Sequence, residues 1–232
     1  MALPVVEISG RMVEDSAFSA GRSMSIYRQP AFNQARRLFS VKTYEILKHL
    51  SMGTALTANS LARIAGKHKT VINKGLVRLW QAGMVKQLAV ATDYTIFKLW
   101  TTADAKLPDS AQEACRMAVL GAFYAMASQE APDLTWQLIR NNRFKVIGEM
   151  TFAGHEGRQK WLIDVPRRGE TITEGAQVYI FPTMEEAGKI TPKGAYFTSD
   201  PYLFKGEQSL KAMLFGAIDQ GKYQSVDHGK YH

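Results

Sequence analysis

The chain has 232 residues, 46% of them hydrophobic, with 29 Lys/Arg against 21 Asp/Glu and a formal net charge of +8. That apolar content is ordinary for a packed core, and the longest apolar run, Met117–Met126, falls short of the roughly 18–20 residues that a membrane-spanning helix needs. The charge is lopsided: residues 1–100 hold 14 Lys/Arg against 5 Asp/Glu, residues 101–232 hold 15 against 16, and a basic half joined to a neutral one points to nucleic acid.

Residues 1–40 read as an extended basic arm, with Arg22, Arg28, Arg36 and Arg37, and a short helix near Ala31–Phe39. Met1–Ser9 lacks a basic stretch ahead of its apolar residues and does not read as a signal peptide, so a cytoplasmic location is expected. From Val41, the spacing of Tyr44, Leu47 and Leu50 predicts a helix. Ser51–Leu56 is a connector. Thr57 is placed to cap a helix over Ala58–Ala65, with Leu61 and Ile64 inward. Gly66 supplies a tight turn. A third helix over Thr70–Ala82 buries Ile72, Leu76 and Leu79 and ends at Gly83. Met84–Val90 and Tyr94–Trp100 flank a short polar turn and predict a hairpin.

The stretch LTANSLARIAGKHKTVINKGLVRLWQAGMVKQL, in the order helix, helix, turn, helix, hairpin, resembles the winged helix-turn-helix family over residues 41–100. The resemblance implies a third helix that enters the major groove of DNA. A helix fits that groove, with its N-terminal half nearest the bases. The candidate DNA-binding residues are Lys67, His68, Lys69, Thr70, Asn73, Lys74 and Arg78 on this helix and the turn before it. Lys86 and Lys98 on the hairpin, and Arg36 and Arg37 on the arm, complete the set. Lys67, Lys69 and Arg78 suit phosphates, a sequence-blind role. Asn73 suits base readout because its amide pairs bidentately with adenine. His68 is a candidate base contact or a plain surface histidine.

Thr101–Pro108 reads as a linker into an α/β domain over 109–218, followed by a polar tail over 219–232. Ser110 caps a helix to Gln129, with Glu113 as capping-box partner and a small apolar face of Ala114, Met117, Ala118, Gly121, Ala122 and Ala125. That face suits either the core or a dimer interface. Leu134–Ile139 is expected as a helical turn with Trp136 inward. Strands are expected at Phe144–Phe152, Lys160–Val165, Gln177–Phe181 and Ala195–Thr198, and helices at Thr183–Ile190 and Gly206–Ile218. The fold class is therefore α+β, a winged helix followed by a domain of order α, β, β, β, α, β, α.

That order resembles the core of the PD-(D/E)xK nuclease-like fold, whose active members hold a divalent metal on an acid and an acid-x-Lys pair. Asp164 and Glu149 are the nearby strand acids, but QVYIFPT offers no acid-x-Lys, and the resemblance implies a catalytically degenerate member. The simpler reading of Asp164 is an ion pair with Arg167 or Arg168. A winged helix before such a domain is similar in layout to replication-relaxation proteins of plasmids and conjugative elements. That similarity implies work at an origin of replication or transfer.

Cys115, in an apolar helical pattern, reads as a buried thiol. His49, His68 and His155 are isolated. His228 and His232 lack further ligands, so no zinc site is expected. Tyr179, Phe181, Tyr196, Phe197, Tyr202 and Phe204 read as strand core, with stacking of single-stranded bases as the alternative. No metal, cofactor or catalytic residue is expected. The sequence reads as a non-enzymatic double-stranded DNA-binding protein acting in transcription regulation, or in replication or conjugative transfer of a mobile element. Its expected partners are DNA, a second copy of itself in a homodimer, and other proteins of a DNA-processing complex. A metal-dependent nuclease and a protein-interaction winged helix are the alternatives.

Overall fold

A computed structural model describes residues 16–28, 40–52, 55–141, 143, 145–154, 157–205, 209–219 and 222–225. The described residues form a mixed α+β structure with seven helices and two sheets. The expected helix over 31–39, with Arg36 and Arg37, lies outside them.

Three helices lead the first half: α1 (Val41–Ser51), α2 (Ala58–Ile64) and α3 (Lys69–Gln81). The starts of α2 and α3 have local causes. The Thr57 hydroxyl accepts from the Ser60 amide at 3.1 Å, and the His68 ring nitrogen from the Thr70 amide at 3.3 Å. Gly66 and Gly83 take φ of 58° and 74° behind α2 and α3, where a side chain would strain the backbone. Ile72, Leu76 and Leu79 are fully enclosed as expected. The inward side of α1 differs: it is Thr43, Ile46 and Leu50, while Tyr44 is exposed and Leu47 half-buried. Gly75 explains the phase. Having no side chain, it leaves room on α3 for the tip of Ile46, and any Cβ there would collide with it.

A three-stranded antiparallel sheet follows, of β1 (Gly21–Ile26), β2 (Val85–Thr92) and β3 (Ile96–Thr102), with β2 central. The expected hairpin is present, its second strand shifted two residues toward the C-terminus. The extended arm is corrected over 21–26, which pairs with β2 from Gly21 opposite Thr92 to Ile26 opposite Leu88. Leu56, in the expected connector, exchanges two backbone hydrogen bonds with Trp100, both 2.9 Å.

Helix α4 (Ala111–Glu130) is the hub. It is capped by Ser110 as expected and packs against α2, β1 and β2, and against β5 (Val146–Gly154) of the second sheet. Sixteen of its 20 residues are buried, including all six of the small apolar face, so that face belongs to the core and not to a dimer interface. One core cluster joins Leu61, Leu76 and Leu88 to Phe123, Met150 and Ile180, so the two halves share their apolar interior.

The second sheet has seven strands. Besides β5 they are β4 (Thr135–Arg140), β6 (Gly157–Asp164), β7 (Val178–Phe181), β8 (Tyr196–Ser199), β9 (Phe215–Asp219) and β10 (Lys222–Ser225), in the order β10-β9-β8-β7-β6-β5-β4. β4, β5 and β6 form an antiparallel meander, and β6, β7 and β8 run parallel. Successive strand residues face opposite sides. Thus Val178 and Ile180 join the α4 cluster, while Tyr179 and Phe181 join a second cluster with Phe197 and with Ala187 of α5 (Met184–Ile190).

Three expectations are overturned here. Leu134–Ile139 is not a helical turn; strand β4 occupies 135–140, paired along its length with β5, although Trp136 is buried as expected. The chain passes through α6 (Asp200–Lys205), and the described part of the expected helix over Gly206–Ile218 is replaced by α7 (Leu210–Met213) and β9, which pairs with β8 through Phe197 and Phe215. The first part of the expected polar tail carries β10. The order after α4 is accordingly richer than α, β, β, β, α, β, α.

Candidate nucleic-acid interface

The candidate site is built on α3 because one side of that helix is committed to the core. Ile72, Gly75, Leu76 and Leu79 are buried. Lys69, Thr70, Val71, Lys74, Val77, Arg78 and Gln81 are exposed. Of the residues singled out in the sequence, Thr70, Lys74 and Arg78 therefore share one open helix surface, and Lys69 is exposed in the first turn, to one side of it. At about 100° per residue, Asn73 falls toward the edge of that surface, and it is half-buried. It is a poorer base reader by geometry than Lys74 or Thr70. His68 is exposed, yet its Nδ1 sits 3.1 Å from the Thr70 hydroxyl and caps α3, so its first role is to start the helix. Lys67 is committed to Glu45 of α1 at 2.5 Å.

The electrostatic setting is one-sided. Residues 46–92 contain seven Lys/Arg and no Asp or Glu. The acids that border this stretch are engaged. Glu45 holds Lys67, and Asp93 is gripped by Arg22 of β1, whose hydrogen bond holds the Asp93 carboxyl below its ordinary range. On the sheet, Lys98 is exposed with its ammonium 5.5 Å above the Tyr27 ring, and Lys86 is half-buried at the start of β2, directly after α3.

Sequence reasoning centred on basic and amide side chains and did not assign Val71, Val77 and Gln81, which lie on the same outward surface, to the site. Their helical offsets from Lys74 (i−3, i+3 and i+7) were the available signal.

The neutral half does not gather the strand acids into a metal centre. Glu149 pairs with Lys160 at 2.5 Å and accepts from Gln137 at 2.6 Å. The Lys160 hydrogen bond lowers its pKa. Asp164 is fully enclosed. It pairs with Lys145 at 2.7 Å and accepts the Thr173 amide at 2.6 Å. Its expected pairing with Arg167 or Arg168 is corrected: Arg167 goes to Asp200, and Arg168 lies 3.7 Å from Glu186. Burial lowers the Lys145 pKa, opposed by Asp164. Among the described residues no group of three or more His, Cys, Asp and Glu is placed to hold a metal ion. His155, His228 and His232 lie outside the described residues.

The aromatic cluster is mostly interior. Tyr179, Phe181 and Phe197 are 1–2% exposed, Tyr196 and Phe204 are half-buried, and Tyr202 is the exposed member. Cys115 is fully buried, and burial pushes its thiol up to about 12. Among the described residues no helix is long and apolar enough to cross a membrane.

No protein-family model, no curated protein and no solved structure matches the chain.

Proposed function

We propose that this chain binds double-stranded DNA through a winged helix at residues 41–100, with α3 in the major groove and the β2–β3 hairpin against the backbone. The observation that carries this reading is the outward side of α3. It presents Thr70, Lys74 and Arg78 opposite an enclosed apolar side, with Lys69 exposed in the first turn, on a helix without a single acid. A solvated helix surface ordinarily mixes charges of both signs. A surface meeting phosphates carries one.

The backbone geometry supports the same reading. The Leu56–Trp100 bridge inserts a short extended segment between α1 and α2 and ties it to β3. The chain then runs helix, extended segment, helix, helix, hairpin, and α3 leaves directly into β2 through Gly83. Lys86 and Lys98 stand on the hairpin where backbone phosphates flank an inserted helix.

Control of transcription, or of replication or transfer of a mobile element, is the process this activity would serve. The test is titration of labelled duplex DNA with the parent protein and with Lys74→Ala. The variant binds all duplexes more weakly on this account. Equal binding by both removes α3 from the interface, and absence of duplex affinity in both leaves the protein-interaction reading.

A further inference from the structure

The outward side of α3 is not uniformly polar. Val71 and Val77 are 44% and 42% exposed, at the two edges of the surface that carries Thr70, Lys74, Arg78 and Gln81. Valine is a poor occupant for such a place. Its β-branched side chain is stiff in a helix, its helix propensity is below that of Lys, Arg or Gln, and it leaves apolar surface in water. At about 100° per residue, Thr70, Lys74, Val77 and Gln81 fall within about 60° of arc. That arc lies opposite the enclosed Ile72 and Leu79. Val77 thus lies at one edge of the presented surface, with Lys74 one turn before it on the same side of the helix.

The DNA major groove has one apolar feature, the C5-methyl group of thymine. We propose that Val77 reads a thymine methyl while Lys74 and Arg78 hold the flanking phosphates. This rests on the DNA-binding reading of α3 and adds the residue that sets part of its sequence preference. The contact removes two small apolar surfaces from water at once. A methyl-sized burial corresponds to a factor of about four in affinity. Cytosine, lacking the methyl, gives Val77 nothing to bury, and this makes the contact discriminating.

The experiment first selects bound sequences from a random duplex pool with the parent protein at fixed salt. Each thymine of the selected site is then replaced singly by uracil, which removes the methyl and alters no hydrogen-bonding edge. For the parent, one such replacement lowers affinity about fourfold. For Val77→Ala, affinity for the thymine duplex falls by a similar factor, and the same replacement has no further effect. Alanine raises helix propensity, and the melting curve of the variant reports that it is folded. Sequence-selective binding in which every uracil replacement is neutral, or in which Val77→Ala keeps the parent's thymine preference, overturns the methyl contact and leaves the DNA reading intact. Failure to enrich any sequence, without salt-sensitive duplex affinity, overturns both.

Discussion

Arg167 and Asp200 form a two-pronged ion pair, 2.6 and 3.1 Å, with both side chains at most 1% exposed. Arg167 also donates to the carbonyls of Phe18 and Ile180 at 3.2 and 3.0 Å, and the Ser16 hydroxyl donates to Asp200. The pair therefore fastens the segment before β1 to the second sheet. Removing one partner of a buried pair strands the other charge, at a cost of about 3–5 kcal/mol. Arg167→Met and Asp200→Asn each lower the urea midpoint accordingly, and a double variant with apolar residues at both positions recovers part of the loss. Full additivity of the two single effects would show that the pair is not one unit.

Gly121 of α4 lies against the Ala55–Leu56 segment. A Cβ there would sit 2.8 Å from a Leu56 methyl and 2.9 Å from the Ala55 carbonyl oxygen. Alanine elsewhere in a helix gains up to about 1 kcal/mol over glycine. Here overpacking, about 1–3 kcal/mol, outweighs that gain. Gly121→Ala is destabilising and Gly121→Val more so, read by chemical denaturation. A stabilised Gly121→Ala would mean that α4 and the segment carrying the Leu56–Trp100 bridge are looser than described.

Burial lowers the His49 pKa, aided by Lys48, and its Nδ1 has no hydrogen-bond partner among the described residues. Unfolded, it titrates near the ordinary value of 6.5. Below that pH the unfolded chain takes up a proton that the folded chain refuses, so the contribution of neutral His49 is present above it and declines as pH falls toward the folded value. Unfolding midpoints of the parent drop between pH 7 and 5.5, and His49→Gln drops less steeply. Parallel curves would remove His49 as the cause.

With its thiol enclosed and pushed up to about 12, Cys115 is protonated and unreachable at neutral pH. A colourless-to-coloured thiol reagent reacts with it only at the rate at which urea unfolds the chain. Prompt reaction in native buffer would contradict the packing of α4.

The long periodic segments were legible because their apolar spacing and caps agree. The stripe Ile72, Leu76, Leu79, the Thr57 and Ser110 caps, and Gly66 and Gly83 all stand as read. β1 was not legible. Its residues Gly-Arg-Ser-Met-Ser-Ile alternate only through Met24 and Ile26, too short a pattern to mark a strand, and its place is fixed by backbone pairing to β2, a tertiary matter. The C-terminal stretch misled for the opposite reason. Leu210, Met213, Leu214 and Ala217 have helical spacing, and only the first turn is helical before the chain turns to pair with β8. In the candidate site the basic residues were visible by type. The half-buried edge position of Asn73 comes from how α3 packs, and the capping role of His68 from its ring meeting the Thr70 amide, neither of which residue type announces.

The most direct test of the account is the salt dependence of duplex DNA affinity, measured by fluorescence anisotropy with the parent and Lys74→Ala. If Lys69, Lys74, Arg78, Lys86 and Lys98 all neutralise phosphates, log K falls against log salt with a slope of about −4 to −5, and Lys74→Ala makes it shallower by about one. A parent affinity indifferent to salt, or a Lys74→Ala slope equal to the parent's, would contradict the placement of α3 on DNA.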